Sequence, residues 1–413
     1  MVKHDIVIID CNRNGLACVR SLAIDGHSIT AVDHRRLSPG IYTRYKKDLH
    51  LIPTPHSNEG EFIAAIQRIG KKLNKQSKPL LLPVNDTYVR TLASHWDDLS
   101  SVYDPLFETN VETLDTVTNK LEFSKFCAVH SIPRPLEYSI KDIKNGKASY
   151  PIIFKPDERN TIENMRNNVF KVKIANNQDE ATQFIHFLEE NRIQVIIQQL
   201  IPGGDDELYT AGVSAIKGKL LGCFTGRKVR QFPPTAGQAA WAEAVPCPKI
   251  IEYAKTIVEK SNFTGLSQIE FKHHQGEYYV IEMNPRSWSW HGLAKPAGVD
   301  LPKILVDAYN GEEPKNLPLV NKTNGIYWHF FLEDFYYNFV LNRNLSFSQL
   351  TKSWRKARGH AFFDSSDLMP AIAHLCIQYP IRLFKWVVGF QDRLSRINLS
   401  TEDNLPENGT DQT

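Results

Sequence analysis

The chain has 413 residues, of which 42% are hydrophobic and 23% charged, and its formal net charge is +3. This length predicts two or three domains, and the composition is that of an ordinary globular protein. The balanced charge, without a basic block, argues against a nucleic-acid-binding protein. No run reaches the roughly 18 apolar residues of a membrane span, so we expect no transmembrane segment and a cytoplasmic location.

The cysteines are scattered along the chain and never form a CxxC pair. They are Cys11, Cys18, Cys127, Cys223, Cys247 and Cys376. This spacing predicts buried free thiols in a reducing compartment, and it excludes both a disulfide framework and a zinc site of the usual spacing.

The first part of the chain alternates between short apolar runs and amphipathic segments. Strands are predicted at 5–10, 28–32, 45–53 and 80–83, and helices at 15–24, 59–72 and 87–99. Strands that alternate with helices favour a parallel, doubly wound sheet. We assign residues 1–115 to this first domain.

The same β-α-β start raises a second hypothesis, that of a nicotinamide-dependent oxidoreductase. Asp33 ends the second strand, where an acidic residue would bind an adenosine ribose. The turn after the first strand, however, contains only Gly15. Without the earlier glycines of the fingerprint, the backbone cannot easily approach a pyrophosphate, so dinucleotide binding is the less favoured interpretation.

A lysine ends the apolar strand YPIIFKP at 150–156. Lys155 follows three large apolar residues and is itself followed by Pro156. An ammonium group in such surroundings needs an anionic partner. Either a bound triphosphate or a structural ion pair would supply one, and we favour the triphosphate.

A hairpin is predicted from the runs 208–216 and 219–225, which flank a Lys-Gly turn. A basic segment with Lys228 and a Pro/Gly-rich stretch follow, and we interpret 226–237 as a loop. A loop of this kind can close over a charged substrate and exclude water.

The hairpin formed by 267–272 and 277–283 carries the most informative polar residues. Glu270 lies within the first strand, and Glu282 and Asn284 leave the same face of the second. If the register places Glu270 opposite them, two carboxylates and an amide gather beside Arg286. Hard oxygen ligands of this kind suit Mg²⁺. The alternative is a solvated hairpin with alternating charge, but the flanking apolar residues make unpartnered carboxylates costly there.

The motif IEF, a turn and then IEMNPRSW resembles the metal-binding end of the ATP-grasp ligases. The resemblance is greatest to carboxylate–amine ligases that join amino acids, including D-aspartate ligases. It implies a mixed α/β and α+β chain: a Rossmann-like domain, two α+β ATP-grasp lobes at 116–200 and 201–325, and a helical C-terminal extension at 326–399. We expect the tail 400–413 to be disordered.

The resemblance also implies how ATP is bound. Lys120, which opens the helix predicted at 118–130, and Lys155 match the residues that hold the phosphates. Gln198 matches an adenine-facing side chain, and Ile201 a backbone contact to adenine. The ribose would be bound by either Asp205 or Glu207, and the spacing leaves both open.

Further roles follow from the same resemblance. The metal ligands for Mg²⁺, or for Mn²⁺ in its place, would be Glu270, Glu282 and Asn284, and the catalytic residues Arg286 and Lys228. Glu243 is a weaker candidate for holding an amine. The segment 157–168 lacks the glycine-rich loop that covers the phosphates in many relatives, and Arg166 and Asn167 are the candidates there.

The expected function is therefore an ATP-dependent ligase for small molecules, which joins a carboxylate to an amine through an acyl phosphate. The oxidoreductase and a non-catalytic ATP-binding module remain as alternatives. The segment 368–390 is apolar but is interrupted by Pro380, Arg382 and Lys385. It would either lie on a membrane surface or cap the catalytic domain, and we favour the cap.

Overall fold

A computed structural model describes residues 2–156, 172–232, 237–320, 325–335, 338 and 346–381. Within these ranges the strands form three sheets. Arg166, Asn167, the part 382–390 of the segment 368–390 and the tail 400–413 lie outside the described residues.

The N-terminal sheet is parallel, with strand order β3-β2-β1-β4-β5. Its strands are β1 (Asp5–Ile9), β2 (Ser28–Asp33), β3 (Asp48–Leu51), β4 (Leu80–Pro83) and β5 (Asp104–Pro105), and its helices are α1 (Arg13–Ile24), α2 (Pro55–Leu73), α3 (Asp86–Ser94) and α4 (Trp96–Leu99). Successive residues of β1 enter two different hydrophobic clusters, because helices cover both faces of the sheet. The predicted parallel sheet is confirmed.

The second sheet has four antiparallel strands in the order β6-β9-β7-β8. They are β6 (Glu137–Tyr138), β7 (Ile152–Pro156), β8 (Lys173–Ala175) and β9 (Val195–Gln199), with the helices α5 (Val111–Thr118), α6 (Lys120–Val129), α7 (Ile140–Lys144) and α8 (Gln178–Glu190) in this part of the chain. Ile152 and Phe154 pack into the cluster that contains Ile185 of α8. Since side chains alternate along a strand, Ile153 and Lys155 face the opposite side.

The third sheet has seven strands in the order β14-β13-β10-β11-β12-β15-β16. They are β10 (Leu208–Ile216), β11 (Lys219–Phe232), β12 (Gln238–Ala244), β13 (Gly265–His274), β14 (Glu277–Asn284), β15 (Tyr327–His329) and β16 (Ala357–His360). The helices here are α9 (Pro248–Ser261) and α10 (Leu301–Tyr309). Glycine is required at Gly212, where a Cβ would lie 2.0 Å from the ring of Trp288.

Two expectations about local structure were wrong, and one was confirmed. The segment 226–232 is not a loop, because β12 pairs with it and extends β11 as far as Phe232. The helix predicted at 118–130 is confirmed as α6, which begins at Lys120; Asn119 caps it by accepting from the backbone N–H groups of Leu121 and Glu122. Cys376 is exposed, whereas the other five cysteines are buried thiols.

The C-terminal extension contains the helices α11 (Phe331–Phe335), α12 (Phe347–Trp354) and α13 (Met369–Ala373). It is not purely helical, because it also supplies β15 and β16 to the edge of the large sheet. None of the helices among the described residues is long and apolar enough to cross a membrane. Peripheral contact of 368–390 with a membrane stays a prediction.

Candidate active site

The β13–β14 hairpin has the strand register that a shared site for Glu270 and Glu282 requires. Glu270 pairs directly with Glu282 across the two antiparallel strands. The turn is made by Gln275 and Gly276, whose φ angles are +50° and +81°. Asn284 Nδ2 donates to Glu282 Oε1 at 3.0 Å. The hairpin therefore brings both carboxylates and the amide to one place.

Two neighbouring side chains hold Glu270. Gln268 Nε2 donates to Glu270 Oε1 at 2.8 Å, and Lys228 Nζ lies 3.2 Å from Glu270 Oε2. Lys228 extends from β11 and is only 8% exposed. An ammonium group so deeply buried against a carboxylate forms a strong, weakly screened interaction. Lys228 thus belongs to the carboxylate cluster rather than to a mobile loop.

Arg286 connects the hairpin to the N-terminal sheet. Its Nη2 donates to Asn284 Oδ1 at 3.1 Å, and its Nε donates to Asp86 Oδ2 at 2.9 Å. Asp86 is the first residue of α3. The guanidinium is therefore fixed on two sides, immediately beyond the carboxylate pair.

The electrostatics of the cluster favour the ionised form of Glu282. Burial by itself raises the pKa of Glu282, but the hydrogen bond from Asn284 and the charges of Lys120, Lys228 and Arg286 outweigh burial and hold this pKa below its usual value. Glu282 is consequently an anion at neutral pH, as a cation ligand must be.

The opposite side of the site is formed by the small sheet. Lys155 Nζ donates to Gln198 Oε1 at 3.1 Å. Burial and the nearby charge of Lys120 lower the pKa of Lys155, and Glu282 partly opposes them. Lys120 begins α6. Both lysines therefore act electrostatically on the same region as the hairpin carboxylates.

A cleft of about 520 Å³ lies between these elements. Eleven residues were assigned above to ATP binding, to the metal or to catalysis, and eight of them line the cleft: Lys155, Ile201, Asp205, Lys228, Glu270, Glu282, Asn284 and Arg286. Lys120, Gln198 and Glu207 are not among its lining residues.

The linker between the lobes distinguishes the two candidate ribose ligands. Asp205 lines the cleft and accepts a hydrogen bond from Gln231 Nε2 at 2.7 Å. Glu207 instead binds His273, whose Nδ1 lies 2.7 Å from Glu207 Oε2. Of these two acids, only Asp205 lines the cleft and can contact a ligand there.

Two further candidates, Gln198 and Glu243, bind other side chains and do not line the cleft. The amide oxygen of Gln198 binds Lys155, and its Nε2 donates to Glu137 Oε1 at 3.3 Å. Gln199 lines the cleft in its place. Glu243 pairs with Arg227 at 3.2 Å and is not a lining residue.

Sequence analysis missed Gln268 and Lys272, which both line the cleft. Lys272 Nζ donates to the backbone oxygens of Gly203 and Gly204 at 2.8 and 2.6 Å, which fixes the linker to the large sheet. A simple signal could have found both residues, since they lie two positions on either side of Glu270 and so share its face of β13.

In the N-terminal domain, Asp33, the candidate ribose ligand of the oxidoreductase hypothesis, is already bound by the backbone. Asp33 Oδ2 accepts from the backbone N–H of Cys11 at 3.1 Å, and its Oδ1 accepts from those of His34 and Arg35 at 2.8 and 2.9 Å. Its side chain is fully buried. A ribose hydroxyl therefore cannot reach Asp33.

The oxygen donors of the hairpin fit Mg²⁺. Among the residues that the structure describes, no group of three or more His, Cys, Asp or Glu side chains could enclose a metal ion. A site with only two carboxylates and an amide oxygen suits Mg²⁺, which binds few protein ligands and completes its shell with phosphate oxygens and water. Glu270, Glu282 and Asn284 are the residues that would hold it.

Known proteins share this architecture. The L-amino acid ligase from Bacillus licheniformis superposes with a TM-score of 0.54 at 14% identity, over 75% of this chain and 77% of that chain. The biotin carboxylase domain of the Hydrogenobacter thermophilus 2-oxoglutarate carboxylase, solved with MgADP, gives a TM-score of 0.59 at 12% identity over 79% of this chain and 74% of that chain. No family model matches the chain.

Among curated proteins, the large chain of carbamoyl phosphate synthase from Archaeoglobus fulgidus is 22% identical over 232 residues. The match covers 52% of this chain but only 20% of that protein. About half of this chain therefore matches one section of a much longer relative, and the match spans only a fifth of that relative's length. Together these similarities establish that it has the fold of the ATP-grasp carboxylate–amine ligases, and the resemblance read from the hairpin motif is confirmed.

Proposed function

We propose that this chain is a ligase that uses ATP to join a carboxylate to an amine, with release of ADP and phosphate. The observation that carries the proposal is the convergence of anionic and cationic groups on one cleft. Glu270 and Glu282 line it from the hairpin, Lys155 from the small sheet and Lys228 from β11. Carboxylates that hold a divalent cation, facing ammonium groups, are suited to a polyphosphate.

The proposed position of ATP follows from the lining residues. Adenine lies against the linker near Gln199 and Ile201, and Asp205 accepts a hydrogen bond from the ribose. The phosphates extend towards the hairpin, where Lys155 neutralises their charge, and Lys120 adds to the positive field. Mg²⁺ held by Glu270, Glu282 and Asn284 neutralises charge on the phosphate oxygens when it is bound.

The proposed reaction takes place in two steps. In the first, a carboxylate oxygen bonds to the γ-phosphorus, the bond to the β-phosphate oxygen breaks, and ADP leaves. In the second, the amine nitrogen bonds to the carbonyl carbon of the acyl phosphate, and the carbon–oxygen bond to phosphate breaks. The nitrogen loses a proton, and an amide and inorganic phosphate result. Activation as an acyl phosphate, a mixed anhydride, is needed because a carboxylate by itself is a poor acylating agent.

Arg286 and Lys228 act on the charge that develops in these steps. Asn284 and Asp86 orient the Arg286 guanidinium before substrate binds. A preorganised cation of this kind stabilises the transferring phosphoryl group or the oxyanion of the second step. Lys228 lies beside Glu270 and can hold a phosphate or the substrate carboxylate.

A nucleotide and substrate screen tests the proposal. Thermal unfolding should shift to higher temperature with Mg-ATP but not with NAD(P), because only a bound ligand stabilises the folded state. ADP release should then appear with pairs of amino acids, or with one carboxylate and hydroxylamine, which captures an acyl phosphate as a hydroxamate. Stabilisation by NAD(P) alone would support an oxidoreductase. Binding of Mg-ATP without ADP release in any mixture would indicate a non-catalytic module.

A further inference from the structure

The helix that begins with α13 is buried on one side only. It continues without a break into a π-helical turn, His374–Gln378. Pro370, Ala373 and His374 form the buried side, and the His374 ring stacks on Phe362 with 4.4 Å between the ring centroids. Phe362 belongs to the largest hydrophobic cluster of the described chain. The inner side of the helix therefore covers this cluster, and its outer side faces away from it.

The outer side of the same helix is apolar. The exposed residues from 368 to 376 recur at intervals of three and four positions, so they share one side of the helix. They are Leu368, Met369, Ile372, Leu375 and Cys376, which we call the apolar face. The first four are between 46% and 50% exposed. No Asp, Glu, Lys or Arg occurs from 368 to 381.

Exposed apolar side chains are concentrated in this part of the chain. Of the fifteen large hydrophobic side chains that are exposed among the described residues, six lie between 363 and 381. Single exposed apolar residues are common on soluble proteins, whereas a group of them on one surface indicates an interaction site. The apolar face is therefore a candidate docking surface.

A basic segment packs against the start of this helix. Residues 34–47 contain five cations and no Asp or Glu: Arg35, Arg36, Arg44, Lys46 and Lys47. Thr43 Oγ1 donates to Asp367 Oδ2 at 2.6 Å, and the backbone N–H of Arg44 donates to Asp367 Oδ1 at 2.9 Å. The guanidinium of Arg44 donates to the backbone oxygen of Ser366 at 3.3 Å. The charge of Arg44 therefore lies at the end of the apolar face that begins with Leu368.

Two of the exposed cations in the basic segment keep their full charge at the surface. Arg36 and Arg44 are exposed, and neither has a carboxylate within 4.0 Å among the residues that the structure describes. Arg35, in contrast, pairs with Asp33, and exposed Lys47 lies 3.7 Å from Asp5. The apolar face thus has uncompensated positive charge beside it.

The acids next to the helix do not cancel this charge. Asp367 is 2% exposed and pairs with Arg20 at 2.9 Å. Asp364 is half-buried and accepts from the backbone N–H of Ser366 at 2.8 Å. The result is an apolar surface with a positive edge, which is complementary to an anionic lipid surface.

We propose that the apolar face and the basic segment dock this protein on an anionic membrane surface. The apolar side chains enter the boundary between headgroups and acyl chains, and Arg36 and Arg44 lie at the level of the headgroups. Lipid accepts an apolar helix side without directional contacts, and this side offers no hydrogen-bonding side chain except a thiol. A second copy of the chain is less suited, because a two-fold contact over this face brings two basic segments together.

A flotation assay with the full chain tests the proposal. Vesicles of phosphatidylcholine alone are compared with vesicles in which phosphatidylglycerol replaces half of the lipid. We expect binding to the anionic vesicles, and at least about tenfold weaker binding to phosphatidylcholine alone. High salt should weaken binding to the anionic vesicles, because it screens the charges of Arg36 and Arg44.

Two double variants separate the two contributions. Ile372→Ser with Leu375→Ser removes apolar area from the middle of the face and should weaken binding to anionic vesicles about tenfold or more. Arg36→Gln with Arg44→Gln should weaken it about fivefold for each charge and should reduce the effect of salt. All four side chains are exposed, so the thermal unfolding of both variants should stay close to that of the unmodified protein.

Matched controls make the same changes elsewhere on the surface. Val129→Ser with Leu136→Ser removes two exposed apolar side chains outside the helix. Lys71→Gln with Lys75→Gln removes two exposed charges at the end of α2, which packs on the other face of the N-terminal sheet. Both controls should bind anionic vesicles like the unmodified protein.

Cys376 gives a direct signal from the apolar face, because it is the exposed cysteine among six. A polarity-sensitive maleimide dye attached to Cys376 should shift its emission to the blue when anionic vesicles are added. Equal binding to both kinds of vesicle, or no loss in either double variant, would overturn the proposal. So would a dimer that forms without lipid and is dissociated by Ile372→Ser with Leu375→Ser, or a Cys376 thiol that does not react before lipid is added.

Discussion

Two regions of the described chain each bring a pair of carboxylates together with cationic groups, on or directly after the strands of a sheet. In the N-terminal sheet, Asp10 and Asp33 share Arg35. At the hairpin, Glu270 and Glu282 face Lys228 and Lys155. The residue types are similar, but the surroundings differ in a way that separates a structural cluster from a candidate active site.

In the N-terminal cluster the protein itself satisfies the charges. Three backbone N–H groups and Arg35 occupy the oxygens of Asp33, which has no exposed surface. At the hairpin, the carboxylates line a cleft of about 520 Å³ with two cations on its other walls. A carboxylate pair therefore indicates function when its partners leave open space between them, and indicates stability when the backbone closes that space.

The largest expected difference between the two clusters is in activity. Glu282→Gln keeps the shape of the side chain but removes the charge that would hold a divalent cation. ADP release should fall about 10³-fold, because charge stabilisation of several kcal/mol is lost from the transition state. Glu277→Gln is the matched control, since Glu277 lies on the same strand but binds Lys249 and Tyr253 outside the cleft. Equal activity of the two variants would contradict the assignment.

The reverse pattern is expected for Asp33→Asn. The change leaves Arg35 without one buried partner and removes an acceptor for backbone N–H groups. The free energy of unfolding in urea should fall by about 3 kcal/mol. At a temperature where the variant is folded, ADP release should stay within about twofold of the unmodified protein. If the Asp33→Asn variant were stable but inactive, the N-terminal cluster would be needed for activity, and its assignment as a structural cluster would be wrong.

The pH dependence of stability tests another buried ionisable group, His291, which is 3% exposed and whose Nδ1 lies 2.9 Å from Ser287 Oγ. The pKa of His291 is lowered from 6.5 to about 4 by burial. As the pH falls below 6.5 the unfolded chain binds a proton that the folded protein refuses, so stability decreases until about pH 4 and no further through this group. The total contribution is about 3 kcal/mol. Urea unfolding between pH 7 and pH 4 should show a drop smaller by about this amount in His291→Gln; equal drops would contradict a buried neutral imidazole.

The smallest expected effect distinguishes the two acids of the linker. Asp205 lines the cleft, whereas Glu207 binds His273. Asp205→Ala should raise the KM for ATP about tenfold, the equivalent of one lost hydrogen bond to a charged group. Glu207→Ala should change it less than about twofold. The opposite ranking would assign the ribose contact to Glu207.

Much of this arrangement could be predicted because the relevant contacts are local. The turn at Gln275 and Gly276 and the alternation of the strands determine which side of the hairpin Glu270 and Glu282 occupy. The same alternation would have identified Gln268 and Lys272, had the spacing been followed one step further along β13.

What could not be predicted depends on contacts distant in sequence. The segment around Lys228 has the composition of a loop but is a strand, because β12 pairs with it. The pairing of Arg286 with Asp86 joins residues 200 positions apart. The hydrogen bond from Ser287 to the backbone oxygen of Asn14 joins residues 273 positions apart. No local pattern encodes these contacts.

The most direct measurement of the central claim follows an oxygen atom. With a carboxylate and amine that release ADP, the carboxylate is labelled with a heavy oxygen isotope and the products are analysed by mass spectrometry. If the carboxylate attacks the γ-phosphate in the cleft between Glu282 and Lys155, one labelled oxygen should pass into inorganic phosphate for each amide formed. Unlabelled phosphate would show that no acyl phosphate forms and would contradict the account.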